Sequence, residues 1–286
     1  MSRLKTYSPL RYPGGKNKLT SYVTKLINTN NLNGCTYIEP YTGGGAVALN
    51  LLFNGIANQI VINDYDRSIY AFWYCVLYRT EDLCNLIINT EITIENWHIQ
   101  KAIQKNKDNE ELLTLGFSTL FLNRTNRSGI IKAGVIGGLK QSGNYKLDCR
   151  FKKDDIIFKI RHISTFREHI QLYNLDTLDL IKNVIPEIQG NKFIFFDPPY
   201  YNKGATLYVN FYKHDDHLEL QQCISNINDC YWIVTYDNEE EIREIYSEYR
   251  NCVYSLNYTA AEKRLGHEVM FYSDNLIIND ACKEVI

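Results

Sequence analysis

Asp197, Pro198, Pro199 and Tyr200 follow directly on the apolar run Phe193-Ile194-Phe195-Phe196. An acid, two prolines and an aromatic ring at the end of a buried strand make a cup of hydrogen-bond acceptors. The prolines fix φ near about −65° and remove two N–H donors, so the cup is stiff and accepts without donating. A planar exocyclic amine suits it. The Asp197 carboxylate and the Pro198 carbonyl can take the two amine hydrogens, while Tyr200 stacks on the heterocycle that carries them. Such a tetrapeptide also occurs as a plain proline turn after a strand, so alone it decides nothing.

Two further clusters could serve the same site. Glu39-Pro40-Tyr41-Thr42-Gly43-Gly44-Gly45 stands where the short strand Thr36–Ile38 turns into an apolar helix over 46–53. Glycines such as Gly43 and Gly45 let backbone approach a ligand, and the helix start offers free N–H groups. The acid Glu39 ahead of them disfavours a pyrophosphate and tolerates a cationic cofactor. Asp64 closes the next strand, Ile60–Ile62, where an acid accepts hydrogen bonds from ribose hydroxyls in dinucleotide folds. The glycine pattern is not G-x-G-x-x-G, which argues against a nicotinamide dinucleotide. Arg11-Tyr12-Pro13-Gly14-Gly15-Lys16 precedes the first helix without the spacing of a phosphate loop. Lys16 there can grip a carboxylate, and Tyr12 can lie beside a base or a cofactor.

The elements that must position these residues alternate between strand and helix. Leu19, Tyr22, Val23, Leu26 and Ile27 form one helical stripe, and strand, glycine-rich turn, helix and strand over 36–62 is a βαβ unit. A more polar helical stretch from 81 to 122 and a glycine-rich basic stretch over 123–150 interrupt the pattern. Helical spacing resumes at Ile156, Ile157, Ile160 and Ile163. Strands return at 170–173, 193–196, 231–235, 252–258 and 269–272. The expectation is an α/β domain of residues 1–78 and 169–286 carrying an inserted module, 79–168.

With 286 residues, 45% apolar and 22% charged, the chain is an ordinary globular one with neither a membrane-span run nor a signal-type h-region at Met1–Lys5. Eight cysteines without a C-x-x-C pair read as reduced thiols, and no metal site is expected. The net charge of −2 hides an asymmetry: residues 121–169 hold eleven Lys/Arg against four Asp/Glu, leaving 20 basic and 29 acidic residues elsewhere. A basic block in an acidic body fits a phosphate-tracking face, and fits a solvated surface as well. Asn123, Arg124, Asn126 and Arg127 have the side chains best suited to adenine and guanine edges. Arg124, Arg127, Lys140, Lys146, Arg150 and Lys152, with Lys132 and Lys153, are candidate phosphate contacts.

Taken in order, Arg-Tyr-Pro-Gly-Gly-Lys, Glu-Pro-Tyr-Thr-Gly-Gly-Gly, Asn-Asp-Tyr-Asp and Asp-Pro-Pro-Tyr resemble the Dam-type, alpha-group DNA adenine-N6 methyltransferases, over about 10–275. The resemblance implies a Rossmann-like, mostly parallel seven-stranded methyltransferase sheet. It carries an inserted helical and hairpin target-recognition module. It also implies S-adenosylmethionine as cofactor, with Tyr12 and Lys16 as N-terminal contacts, Asp64 on the ribose and Asp176, in Asn174-Leu175-Asp176, flanking the adenine. Asp197 would touch cofactor and target amine, with Pro198 and Tyr200 completing a catalytic pocket for an adenine flipped out of duplex DNA. Tyr12 stands where several relatives have tryptophan, and 122–129 matches the DNA-reading hairpin of the GATC-specific members only in part, so the target sequence stays open. Double-stranded DNA is the implied partner. A cytoplasmic site in a bacterial or phage context goes with it, while a companion restriction endonuclease and the oligomeric state stay open, a monomer being compatible. RNA or a protein amide as substrate, and a non-catalytic DNA-binding protein, are the alternatives. Tyr208, Phe211 and Tyr212 suit a cover over the base and suit packing equally.

Overall fold

The computed structural model describes residues 6–11, 16–201, 212–258 and 264–278. Seven strands form one sheet: β1 (Cys35–Glu39), β2 (Ala57–Asn63), β3 (Ile170–Tyr173), β4 (Lys192–Phe196), β5 (Tyr231–Asp237), β6 (Asn251–Tyr258) and β7 (Arg264–Tyr272), ordered β3-β2-β1-β4-β5-β7-β6. The first five are parallel, and β7 runs antiparallel to both β5 and β6. This is the Rossmann-like α/β class, with the chain direction across the sheet reversing between β1 and β4. In open α/β sheets a ligand crevice opens outside the carboxyl ends of the strands at such a switch point.

Period-two alternation decides which side of the sheet each residue serves. Tyr37, Phe193, Phe195 and Ile233 enter a core with α1 (Thr20–Thr29), α2 (Ala46–Phe53) and α3 (Arg67–Tyr78), whereas Ile38, Ile194, Phe196 and Val234 enter a second core. The second core is closed by α8 (Thr177–Asn183), α9 (His214–Ser225) and α10 (Glu240–Ile245). The stripe Leu19, Tyr22, Val23, Leu26 and Ile27 is buried as its spacing requires.

Between α3 and β3 lie α4 (Thr80–Asn89), α5 (Ile94–Lys105), α6 (Leu112–Thr125) and α7 (Lys153–Ser164). Their apolar residues, among them Leu83, Trp97, Phe121 and Ile160, join the core beneath the first sheet face, so burial is continuous across position 79. From Leu115 to Thr125 α6 is buried on all sides. Its polar side chains are answered inside the protein: Ser118 donates to Gln100 O at 2.8 Å and Thr119 to Ser68 O at 3.1 Å. Gly116 is what lets α6 meet α3 so closely, because a Cβ there would lie 2.6 Å from Ala71 O and 2.7 Å from Cys75 Sγ. Gly116→Val is therefore expected to lower stability by about 1–3 kcal/mol through overpacking, read as a lower urea midpoint with an unchanged slope.

No helix among the described residues is long and apolar enough to cross a membrane. Cys35, Cys75, Cys84, Cys149, Cys223 and Cys230 are free thiols. Cys252 is disulfide-bonded, which corrects the expectation of uniformly reduced cysteines.

Candidate active site

A cleft of about 300 Å³ opens at the switch point, lined by residues 6–17 in part, the Glu39–Val47 turn, Phe195, Asp197 and two side chains of α6 and α7, Arg124 and Lys159. The turn is shaped by stitching at the strand ends. Thr42 Oγ1 donates to Glu39 O at 2.8 Å and accepts from Asn63 N at 3.0 Å. Asn63 donates to Pro40 O and Leu175 O and accepts from Leu175 N, which ties the ends of β1 and β2 to the segment after β3. Gly45 adopts φ +58°, a left-handed value that glycine takes without strain, and a Cβ there would also crowd Trp73 at 3.1 Å.

Glu39 sits beneath the start of α2. One of its oxygens accepts from Tyr37 OH at 3.0 Å and from Ala48 N at 3.0 Å. Burial pushes its carboxyl up to about 8 in spite of both bonds. Asp64 Oδ2 accepts from Gly43 N at 2.9 Å and Oδ1 from Asp66 N at 2.9 Å. Burial, reinforced by the neighbouring charge of Asp66, lifts Asp64 to about 7. Asp176 caps α8 by accepting from Leu178 N at 2.8 Å, and it does not line the cleft.

The acceptor cup is anchored on one side and open on the other. Asp197 Oδ1 takes the Thr235 hydroxyl at 2.8 Å and the Lys16 ammonium at 3.2 Å. Oδ2 has no partner among the described residues, and the side chain remains 23% exposed to the cleft. Burial raises the Asp197 carboxyl, and Lys16 opposes the rise. Past the prolines, Tyr201 N donates to Asp237 Oδ1 at 2.9 Å, pinning the chain as it leaves β4.

Lys16 is the hub of a buried network that sequence reasoning did not find. Its ammonium donates to Glu268 Oε2 at 2.8 Å and to Tyr200 OH at 2.9 Å. Tyr254 OH donates to Glu268 Oε2 at 2.5 Å, and Tyr200 OH donates to Glu268 Oε1. Burial alone would lower the Lys16 pKa, but Asp197 and Glu268 outweigh it and hold the ammonium well above its ordinary value. Burial alone would raise Glu268, and Lys16 with the phenols brings it below the usual carboxylate range. A carboxylate inside the otherwise apolar run Glu268-Val269-Met270-Phe271 was the available signal, because a buried charge needs a partner.

Several expected roles are corrected by this placement. Tyr200 is 4% exposed and its hydroxyl is bound inside the network, so its ring is a buried anchor and not an open stacking face. Asn123, Arg124 and Asn126 are buried at the end of α6 rather than displayed to base edges. Asn123 bonds the backbone of Arg11 and Gly129, and Asn126 accepts from Trp97 Nε1 at 2.6 Å while donating to Ile130 O and Ile131 O. Among these four, Arg127 alone is exposed. It begins a short hairpin closed by the antiparallel bridge Asn126–Val135. Lys132, Lys140, Lys146, Arg150 and Lys152 are also exposed, and none forms an ion pair among the described residues. Lys153 is turned inward to Ile88 O and Thr90 O. Tyr12, Tyr208 and Phe211 lie outside the described residues.

Thus Lys16, Glu39, Gly45 and Asp197 converge on one cleft; Asp64 is outside its lining and is tied to it through Gly43, whose neighbours Thr42 and Gly44 line it. Comparison with known proteins identifies the family. A sequence model described as D12 class N6 adenine-specific DNA methyltransferase matches residues 12–260. Type II methyltransferase M.MjaIII of Methanocaldococcus jannaschii is 23% identical over 223 residues, covering 72% of this chain and 73% of that protein. Type II methyltransferase M1.LlaDCHI of Lactococcus lactis subsp. cremoris is 22% identical over 235 residues, covering 76% of each. Among solved structures, the rRNA methyltransferase aviRa of Streptomyces viridochromogenes is similar with a TM-score of 0.36 and 10% identity over 90% of this chain and 85% of its own. That last likeness is loose and adds nothing to the topology.

Proposed function

This chain belongs to the D12 class N6 adenine-specific DNA methyltransferase family, and from that membership we propose that its cleft holds S-adenosylmethionine while the acceptor cup receives the N6 amine of an adenine turned out of duplex DNA. The membership makes it an enzyme that methylates adenine in DNA. The observation that carries the cup's role is the division of labour within Asp197: Oδ1 is fixed by Thr235 and Lys16, whereas Oδ2 has no partner among the described residues.

The cleft's residues fit the proposed cofactor. Glu39 and Asp197 offer negative charge to a sulfonium and an ammonium, and Asp64, held behind the lining by Gly43, is the ribose acceptor. Asn17 Oδ1 lines the same cleft and is buried without a partner, an acceptor still to be satisfied. When bound, S-adenosylmethionine supplies an electrophilic methyl carbon.

The chain's own part is to prepare the amine. Its lone pair is delocalised into the adenine ring, so it is a weak nucleophile. Asp197 Oδ2 and the Pro198 carbonyl, accepting its two hydrogens, favour a tetrahedral nitrogen and return the lone pair to it. Lys16 favours the ionised form of Asp197, and the two prolines keep the acceptors still, so positioning supplies much of the rate. Turning the base out costs a few kcal/mol. Arg127, Lys132, Lys140, Lys146, Arg150 and Lys152 offset the cost through phosphate contacts. A companion restriction endonuclease accords with the type II relatives. Tritiated-methyl transfer is expected to label duplex DNA and leave RNA and protein unlabelled. Label confined to RNA or protein would end the DNA reading.

The two raised acids give the cofactor step a pH signature. Asp64 and Glu39 contribute most to ligand-free stability when protonated, below their unfolded values of 3.8 and 4.5, and that contribution is lost as pH rises through about 7 and about 8. A ligand whose hydroxyls and cations select the carboxylates should bind more tightly, with proton release, as pH crosses that range. Calorimetry in buffers of different ionisation enthalpy reads the released protons. A flat affinity across the range would remove both acids from the cofactor site.

A further inference from the structure

The cleft holds more positive charge than its carboxylates answer. Lys16 is met by Asp197 and Glu268, and Lys159 by Asp155 at 2.9 Å. Arg11 and Arg124 line the same cleft, and among the described residues no carboxylate pairs with either. Arg124 is the deeper, 9% exposed. One of its terminal nitrogens donates to Pro9 O, the other reaches Arg150 O only at 3.5 Å, and its Nε is buried with no partner. Burial and the charge of Arg11 pull its guanidinium down to about 10. Burial and Arg150 lower Arg11 as well. Asp155 acts on Arg124 only through space, and a buried cation without a direct ion-pair partner is costly to keep, so an anion entering the cleft relieves the cost.

The surroundings of these arginines are fixed, as a binding site requires. The Asn123 side-chain amide grips the Arg11 backbone twice, accepting its N–H at 2.7 Å and donating to its carbonyl at 2.8 Å. Gly129, at φ +78°, approaches so closely that a Cβ would lie 2.1 Å from Arg11 O. The buried α6, which carries Asn123 and Arg124, is thereby clamped to the segment that leads into Lys16.

The same cleft is also lined by acids, Glu39 and Asp197. A ligand that carries an ammonium and a carboxylate on one carbon, an α-amino acid, matches both charges. Lys16, expected from sequence to grip that carboxylate, is already surrounded by two carboxylates and a phenol. We propose that Arg124, assisted by Arg11, binds the carboxylate of the amino-acid tail of the methyl donor. This rests on the reading of the cleft as the donor site.

The test compares two ligands on the whole protein by calorimetry: S-adenosylmethionine and its decarboxylated analogue. Hydrogen bonds to a charged group support a difference of about ten- to a hundredfold, so the wild-type chain should bind the analogue that much more weakly. Arg124→Gln should bind both ligands alike, at the analogue's level, and Arg124→Lys should recover part of the difference. Arg11→Gln, which leaves the clamped backbone in place, should narrow the difference without erasing it. Equal weakening of both ligands by Arg124→Gln would mark a purely structural residue, and unchanged donor affinity with weakened DNA binding would mark a phosphate contact. Either result overturns the proposal with the donor reading intact. A wild-type chain that binds neither ligand would overturn the donor reading itself, and the proposal with it.

Discussion

Asp197→Ala is expected to lower the single-turnover rate of methyl transfer to adenine by about a hundred- to a thousandfold. The side chain that disappears supplies one of the two acceptors that prepare the amine, and the effect belongs in the rate and not in the fold. Lys16 would still be answered by Glu268 at 2.8 Å, so no buried cation is stranded. The unfolding midpoint of this variant should therefore stay near that of the wild-type chain. Asp197→Asn keeps an acceptor but adds a donor where none is wanted, and should recover little. A rate within tenfold of wild type for the alanine variant would show that the amine is prepared elsewhere.

Glu268→Ala should be the most damaging substitution for stability, by about 3–5 kcal/mol, because it removes one partner of a buried ion pair. Lys16 would lose its nearest carboxylate, and the hydroxyls of Tyr200 and Tyr254 would lose their acceptor. Removing the charge on both sides, as Lys16→Met with Glu268→Leu, should cost less than the sum of the single changes, since neither a cation nor an anion is stranded. Glu268→Gln adds a signature that stability alone would not give. The Glu268 charge helps to raise the Asp197 carboxyl, so removing it should move the acid limb of the activity profile to lower pH. Urea unfolding of the single and double variants measures the first effect, and a pH–rate profile the second. Additive losses would argue against a coupled network.

The sheet was legible because its signals are local. Apolar runs buried on both faces announce β1, β4 and β5, and the acid-proline-proline end of β4 marks where chemistry can occur. The convergence of Lys16, Glu39 and Asp197 was legible through the order of their motifs. Glu268 was not, since its link to Lys16 spans 252 positions and depends on the antiparallel entry of β7. The run Leu122-Asn123-Arg124-Thr125-Asn126 misled for a physical reason. The same amides and guanidinium that suit base edges also satisfy backbone groups at the end of a buried helix. The apolar stretch Leu115–Leu122 ahead of them carried that second meaning. Asp176 likewise has the sequence of a helix cap, an acid directly before Thr-Leu, and serves as one.

The cup at the end of β4 would suit an amino group on cytosine as well as on adenine, so the most direct measurement identifies the product. Duplex DNA incubated with this chain and S-adenosylmethionine, then digested to nucleosides and resolved by mass spectrometry, should contain N6-methyldeoxyadenosine. The Asp197→Ala protein should yield about a hundredth as much or less in the same time. Methyl groups found only on cytosine, or N6-methyldeoxyadenosine formed equally by the variant, would contradict the assignment of the amine to Asp197 and Pro198.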